Sequence, residues 1–312
     1  MRTAERYRGA LLGLAIGDAL GAQVEFLPRG TFPPVEGFRG GGPHDLGPGE
    51  WTDDTAMALA LAESLVETGG FDPVDQLRRY LRWYKEGYLS PKGFCFDIGN
   101  TTRRALETYE RTGEPYPGPT DERTAGNGSL MRLAPVPLFY AADPEKVIHY
   151  AALSSKTTHG APQAVDACRY FAGLLVGAAR GESKETLLAP FYSPAPGLWE
   201  KAPLHPAVAR VAAGSFREKT RDEIRASGYV VDTLEAALWA FNRGRDFKEA
   251  VLLAVNLGDD ADTVGAVAGQ LAGAYYGEAG IPTEWQEGVY LREKILALAD
   301  ALYRRAWGDA AG

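Results

Sequence analysis

The chain has 312 residues, 45% of them hydrophobic, enough to bury a large core. Its formal net charge of -8, with acids and bases interspersed, argues against a nucleic-acid binder that must neutralise many phosphates. Two cysteines, Cys95 and Cys168, are too few for a disulfide framework or a cysteine-built zinc site, so they read as thiols of a cytoplasmic protein.

The first apolar run, Gly9-Ala-Leu-Leu-Gly-Leu-Ala-Ile-Gly17, is flanked by Arg2, Glu5, Arg6 and Arg8 and interrupted by Asp18. It is too short and too polar at its edges for a membrane span, and no cleavage pattern follows it. A 3.6-residue period predicts helices over Ala4 to Val24, Thr55 to Thr68, Val74 to Glu86, Gly99 to Thr112 and Pro144 to Leu153. It continues over Pro162 to Arg180, Val230 to Asn242, Phe247 to Val255, Thr263 to Tyr276 and Gln286 to Arg305. Sustained period-2 alternation is scarce and no Pro/Gly/Ser linker divides the chain. The expectation is an all-α fold in one domain, 1–312, with long functional loops at 28–49, 113–128 and 193–206.

Two of these helices share a stripe of glycines: Gly9, Gly13, Gly17 and Gly21 in the first, and Gly265, Gly269, Gly273 and Gly277 along the other. Each interior glycine costs about 1 kcal/mol relative to alanine. Close helix–helix approach is the expected compensation: the helices centred on Gly13 and Gly269 would pack against a neighbour or against each other, and bring Asp18 and Glu25 towards the acids near residue 260.

Those acids form the sharper signal. Trp51-Thr52-Asp53-Asp54-Thr55 and Asp259-Asp260-Ala261-Asp262-Thr263 each open a predicted helix. Acids at such positions commonly do no more than cap free N–H groups. Two such turns, each joining carboxylates to a hydroxyl and lacking His or Cys, suit a hard divalent cation far better than zinc. Gathered without a cation, the carboxylates could not all stay ionised. Elsewhere, Thr124-Ala125-Gly126-Asn127-Gly128-Ser129 puts small residues ahead of a helix, which lets backbone N–H groups approach an anion such as a diphosphate. Asp97 and His159 each read as ordinary helix caps on their own. Four histidines without an acid–histidine–nucleophile grouping give little support to a serine hydrolase.

Taken in order, Gly17-Asp18-Ala-Leu-Gly21-Ala-Gln-Val-Glu25-Phe26, Trp51 to Thr55, Gly126-Asn127-Gly128-Ser129-Leu-Met131-Arg132, Thr158-His159 and Asp260-Ala-Asp262-Thr263 resemble the ADP-ribosylglycohydrolase family. The likeness is greatest to its bacterial branch that releases ADP-ribose from arginine of dinitrogenase reductase. The resemblance implies an orthogonal helical bundle with two Mg²⁺ or Mn²⁺ ions held by Thr52, Asp53, Asp54, Asp260, Asp262 and Thr263. It implies Glu25, Asp97 and Asp260 as catalytic acids. Gly99, Asn100, Thr124, Gly126, Asn127, Gly128, Ser129 and His159 would contact ADP-ribose. The implied substrate is an ADP-ribosylated protein side chain, most simply arginine, cleaved at the N-glycosidic bond by a monomer without nucleic acid or membrane. The alternatives are hydrolysis of O-acyl-ADP-ribose or a related derivative, and a non-catalytic role like that of the family's lens crystallins. Asp259 departs from the pattern, since relatives often carry two glycines before the aspartate.

Overall fold

The computed structural model describes residues 3–308. In chain order the helices are α1 (Thr3–Ala22), α2 (Asp53–Thr68), α3 (Pro73–Glu86), α4 (Asn100–Thr112), α5 (Pro135–Phe139), α6 (Pro144–Lys156), α7 (Pro162–Ala179) and α8 (Lys184–Leu187). They continue with α9 (Leu198–Lys201), α10 (Pro206–Ala212), α11 (Val230–Arg243), α12 (Phe247–Val255), α13 (Ala261–Tyr276), α14 (Thr283–Gly288) and α15 (Arg292–Trp307). Among the described residues there is no strand, only isolated bridges between Gly41 and Leu46 and between Gly126 and Tyr229. The fold is all-α, and none of these helices is long and apolar enough to cross a membrane.

The glycine stripes meet each other. Helices α1 and α13 cross antiparallel at the centre, with Gly9 on Gly273, Gly13 on Gly269, Gly17 on Gly265 and Gly21 on Ala261. A methyl group added at Gly13 would sit 2.1 Å from the Gly269 carbonyl oxygen, so no side chain fits there. Both helices are buried on nearly every face, which explains why they are apolar all round. The register leaves the C-terminal end of α1 beside the first turn of α13. Asp18, fully buried, therefore lies next to the second acidic turn.

The predicted helix over Gln286 to Arg305 is broken in two. Val289 is extended and Leu291 is left-handed at φ 57°, ending α14 before α15 begins. The break is stitched to the segment that enters α2: Tyr290 N–H donates to the Gly49 carbonyl at 3.0 Å, and Trp51 Nε1 donates to the Tyr290 carbonyl at 3.0 Å. Helical periodicity continues through the break, but tertiary hydrogen bonds take the backbone groups that a continuous helix needs. The predicted loops also hold short helical turns, Glu122–Thr124 within 113–128 and α9 within 193–206.

Candidate active site

The first turn of α2 is built around Asp18. Its carboxylate accepts both Thr52 N–H and Thr55 N–H at 3.1 Å, and the hydroxyls of Thr52 and Thr55 at 2.7 Å. Asp18 is thus a positioning group for the turn. The residues at the helix starts are not conventional caps. Asp72, Asp143 and Asp246 cap α3, α6 and α12 through their side chains, whereas neither Thr52 at α2 nor Asp260 at α13 makes a side-chain capping bond. Their oxygen atoms face each other instead. The Thr52 hydroxyl lies 2.7 Å from Asp18, 3.0 Å from Asp54 and 3.0 Å from Asp262, yet it carries one proton and can donate to only one of them.

Asp262 joins the two turns. Its ligand atoms come within 4.8 Å of three overlapping oxygen sets: Asp18 with Asp54, Glu25 with Asp260, and Asp53 with Asp97. Asp54 Oδ2 and Asp262 Oδ1 are buried and have no hydrogen-bond partner among the described residues. Burial first, and neighbouring negative charge second, push Asp18, Asp53 and Asp262 well above the usual carboxylate range. Burial likewise raises Asp260, and it lifts Asp54 to about 6 and Glu25 to about 7. Hydrogen bonding from Thr263 partly opposes the rise at Asp54 and Asp260. A divalent cation reverses this penalty, and the all-oxygen donors with two orphaned buried atoms fit one.

One cationic side chain enters the cluster, and the sequence patterns did not single it out. His44 Nε2 lies 3.4 Å from both Glu25 Oε2 and Asp97 Oδ2. Hydrogen bonding to Asp97 and Glu25 raises this imidazole to about 9. The available signal was the loop carrying it. Gly40, Gly41 and Gly42 all have positive φ, and a Cβ on Gly42 would meet the Ala22 carbonyl at 2.2 Å, so the 28–49 segment must lie against the end of α1.

From this cluster a cleft of about 700 Å³ runs towards the glycine-rich loop. Glu25, Asp53, Asp97, Gly99, Asn100, Gly126, Asn127, Gly128, His159, Asp260, Asp262 and Thr263 all line it. Asn127 links the two ends, its amide donating to Asp260 Oδ2 at 2.7 Å. A Cβ at Gly128 would lie 2.6 Å from His159 Cε1, so glycine lets the ring close over the loop. Burial, helped by Arg132, lowers His159 to about 3 and keeps its imidazole neutral. Thr52 and Asp54 sit beneath the cleft rather than on its wall. Two residues expected to contact the nucleotide do not line it. The Ser129 hydroxyl pairs with Ser155 at 2.8 Å and accepts from Cys168, and the Thr124 hydroxyl bonds its own turn at Asp121. The start of the loop is pinned by packing that the motif does not reveal.

Over residues 1–311 the sequence matches the family described as ADP-ribosylglycohydrolase. The chain belongs to that family. It is similar to the ADP-ribosylarginine hydrolase Tri1 of Pseudomonas putida strain GB-1, 48% identical over 97% of this chain and 79% of the relative. It is also similar to the ADP-ribosyl-[dinitrogen reductase] glycohydrolase of Rhodospirillum rubrum, 33% identical over 98% of each. A solved structure, an ADP-ribosylglycohydrolase-related protein complex, superposes with a TM-score of 0.86 at 54% identity, covering 98% of this chain and 99% of the other. As an ADP-ribosylglycohydrolase the chain is a glycosidase, and the convergent acidic cleft is the candidate place for that chemistry.

Proposed function

We propose that this chain hydrolyses the N-glycosidic bond between ADP-ribose and an arginine side chain of a modified protein. The observation that carries the reading is the convergence of both acidic turns on Asp262 inside the cleft that also holds the Gly126–Asn127–Gly128 loop. The volume suits a ligand of this size.

Thr52, Asp53, Asp54, Asp260, Asp262 and Thr263 would hold two Mg²⁺ or Mn²⁺ ions, with Asp18 fixing the α2 turn. When bound, such ions grip vicinal hydroxyls and activate water, the template and nucleophile roles of a two-metal site. The chain's own groups do the rest. The Gly126 and Asn127 N–H groups are spent on the Thr124 and Gly228 carbonyls at 2.8 and 3.0 Å, so it is the Gly128 N–H that would face the diphosphate, and neutral His159 packs on the nucleotide without adding charge. Glu25, Asp97 and Asp260 surround the terminal ribose with negative charge, which stabilises the cationic character that develops at the anomeric carbon. Glu25 positions the attacking water. Every group comes from one chain and from both ends of its sequence, so one chain, a single 1–312 domain, supplies the complete site.

Incubation with Mg²⁺ and an ADP-ribosylated arginine peptide tests this. The expected products are free ADP-ribose and unmodified arginine, seen by mass spectrometry. Acetate release from O-acetyl-ADP-ribose with no turnover of the peptide would move the assignment to an ester substrate. Tight ADP-ribose binding with no turnover of either would make the protein a binding module.

A further inference from the structure

Residues 26 and 259 are the two non-glycine positions at the cleft with left-handed backbones, at φ 69° and 53°. An aromatic residue in that region is a true outlier, and such strain persists only where the surroundings enforce it. Here the enforcement is mutual. Phe26 N–H donates to the Asp259 carbonyl at 2.7 Å, and Asp259 N–H donates to the Leu27 carbonyl at 2.8 Å. Gly258 makes room for this, since a Cβ there would meet the Leu27 carbonyl at 2.5 Å. Neither side chain gains burial from it. Phe26 is 64% exposed, Asp259 is exposed, and both line the cleft.

Neighbouring side chains fix which end of the cleft they occupy. The Phe26 ring stands edge-on to His44 at 6.4 Å between centroids, and His44 is paired with Glu25 and Asp97. Beyond those acids come Asp260 and its partner Asn127, and then the glycine loop against His159. Given the function proposed above, on which this step rests, a diphosphate on the glycine loop and a ribose over the acids leave the departing side chain on the Phe26 side.

We infer that Phe26 and Asp259 form the subsite for the substrate's arginine, with the ring offering its face to the guanidinium and the carboxylate offering its charge. Aromatic faces and carboxylates are the two groups that recognise a guanidinium. Among the described residues no hydrogen bond or salt bridge engages the Asp259 side chain: Arg29, whose charge it feels, spends its guanidinium hydrogen bonds on the carbonyls of Leu257, Arg221 and Ile224. The residue that departs from the family pattern thereby gains a specific task.

The test compares Phe26→Ala, Phe26→Trp and Asp259→Asn with the unaltered Mg²⁺-loaded protein. KM and kcat are measured on the ADP-ribosylated arginine peptide, and ADP-ribose affinity is measured by calorimetry. Phe26→Ala is expected to raise KM by about fivefold to tenfold, the size of one cation–π contact, while the ADP-ribose Kd stays the same. Phe26→Trp restores KM. Asp259→Asn raises KM about threefold at low salt, a difference that added salt erases. Equal losses in KM and in ADP-ribose affinity would place the ring on the nucleotide and overturn the inference, as would unchanged KM in all variants. Absence of arginine turnover by the unaltered protein overturns the parent reading and this one together, whereas turnover with indifferent variants overturns this one alone.

Discussion

The entry turn of α2 is locked from behind, whereas that of α13 is held at its sides and left open to the cleft. Asp18 takes two N–H groups and two hydroxyls of the α2 turn, and Thr52, Asp54 and Thr55 are all buried. The α13 turn has no such clamp. Asp260 N–H donates to the Ala226 carbonyl at 3.0 Å, its carboxylate takes Asn127, and Asp259 projects into the cleft. One turn is therefore rigidly placed and shows only Asp53 to the cleft, while the other presents Asp259, Asp260, Asp262 and Thr263 to it. The difference shows how a site can be rigid where charge must be placed and open where a ligand must enter.

Asp262→Asn strikes the point shared by both turns and carries the largest expected effect. Removing a charge common to three oxygen sets should lower ADP-ribose release roughly a thousandfold, because the several kcal/mol contributed by metal chemistry are lost. Calorimetric titration with Mg²⁺ should show weakened binding, and thermal unfolding of the metal-free variant should show no loss of stability. A metal-free variant that unfolds early would mean that Asp262 is a structural group.

Chelation exposes the same cluster in a second way. Glu25 at about 7 and Asp54 at about 6 lie above their ordinary values of 4.5 and 3.8. Between those limits the unfolded chain sheds protons that the folded chain keeps, so stability falls as pH rises from about 4 to 7. His44 acts in the same direction: raised to about 9, its contribution is complete below 6.5 and is lost as pH climbs through 9. The metal-free melting temperature should therefore decline steadily across this range. Saturating Mg²⁺ should flatten the acidic half of the curve, because the ion takes over the neutralising role of the protons. A metal-free protein more stable at pH 8 than at pH 5 would contradict the clustering of these carboxylates.

The α1–α13 crossing sets the distance between the turns. Gly13→Ala would force a methyl group to 2.1 Å from the Gly269 carbonyl, at a cost of about 3 kcal/mol in chemical denaturation, as overpacking does. Asp18→Asn is gentler. It removes an acceptor to which Thr52 and Thr55 of the locked turn bond, and should weaken Mg²⁺ binding by roughly tenfold to a hundredfold, the usual range for a group that orients ligands. Equal Mg²⁺ affinity in this variant would mean that the turn needs no clamp.

The sequence carried this crossing and both turns because each is written locally. Glycines at every fourth residue mark one helical face, and acids beside threonines at a helix start mark a hard-ligand turn. Other features depend on distant partners and leave no local mark. Nothing near His44 announces that Glu25 and Asp97 will flank it, and the period through Gln286 to Arg305 does not show that Tyr290 will bond Gly49 and Trp51. Ser129 sits within the glycine motif, but its rotation towards Ser155 and Cys168 is set by α6 and α7. Asp18 was legible as an acid that helix packing would bring towards the second turn, though the turn it clamps was not.

The smallest expected effect separates backbone from charge at the open turn. Asp259 holds a left-handed conformation that glycine adopts without strain. Asp259→Gly should therefore stabilise the protein by about 1 kcal/mol, through relief of that conformation. Asp259→Asn keeps the side-chain shape and the backbone preference, so its stability should stay at that of the parent. If both variants raise KM for the arginine peptide alike but only the glycine gains a rise in melting temperature, the aspartate is retained for its charge at the expense of its backbone. A glycine variant less stable than the parent would show instead that the Asp259 side chain holds the lip together, and the open turn would then be clamped as firmly as the closed one.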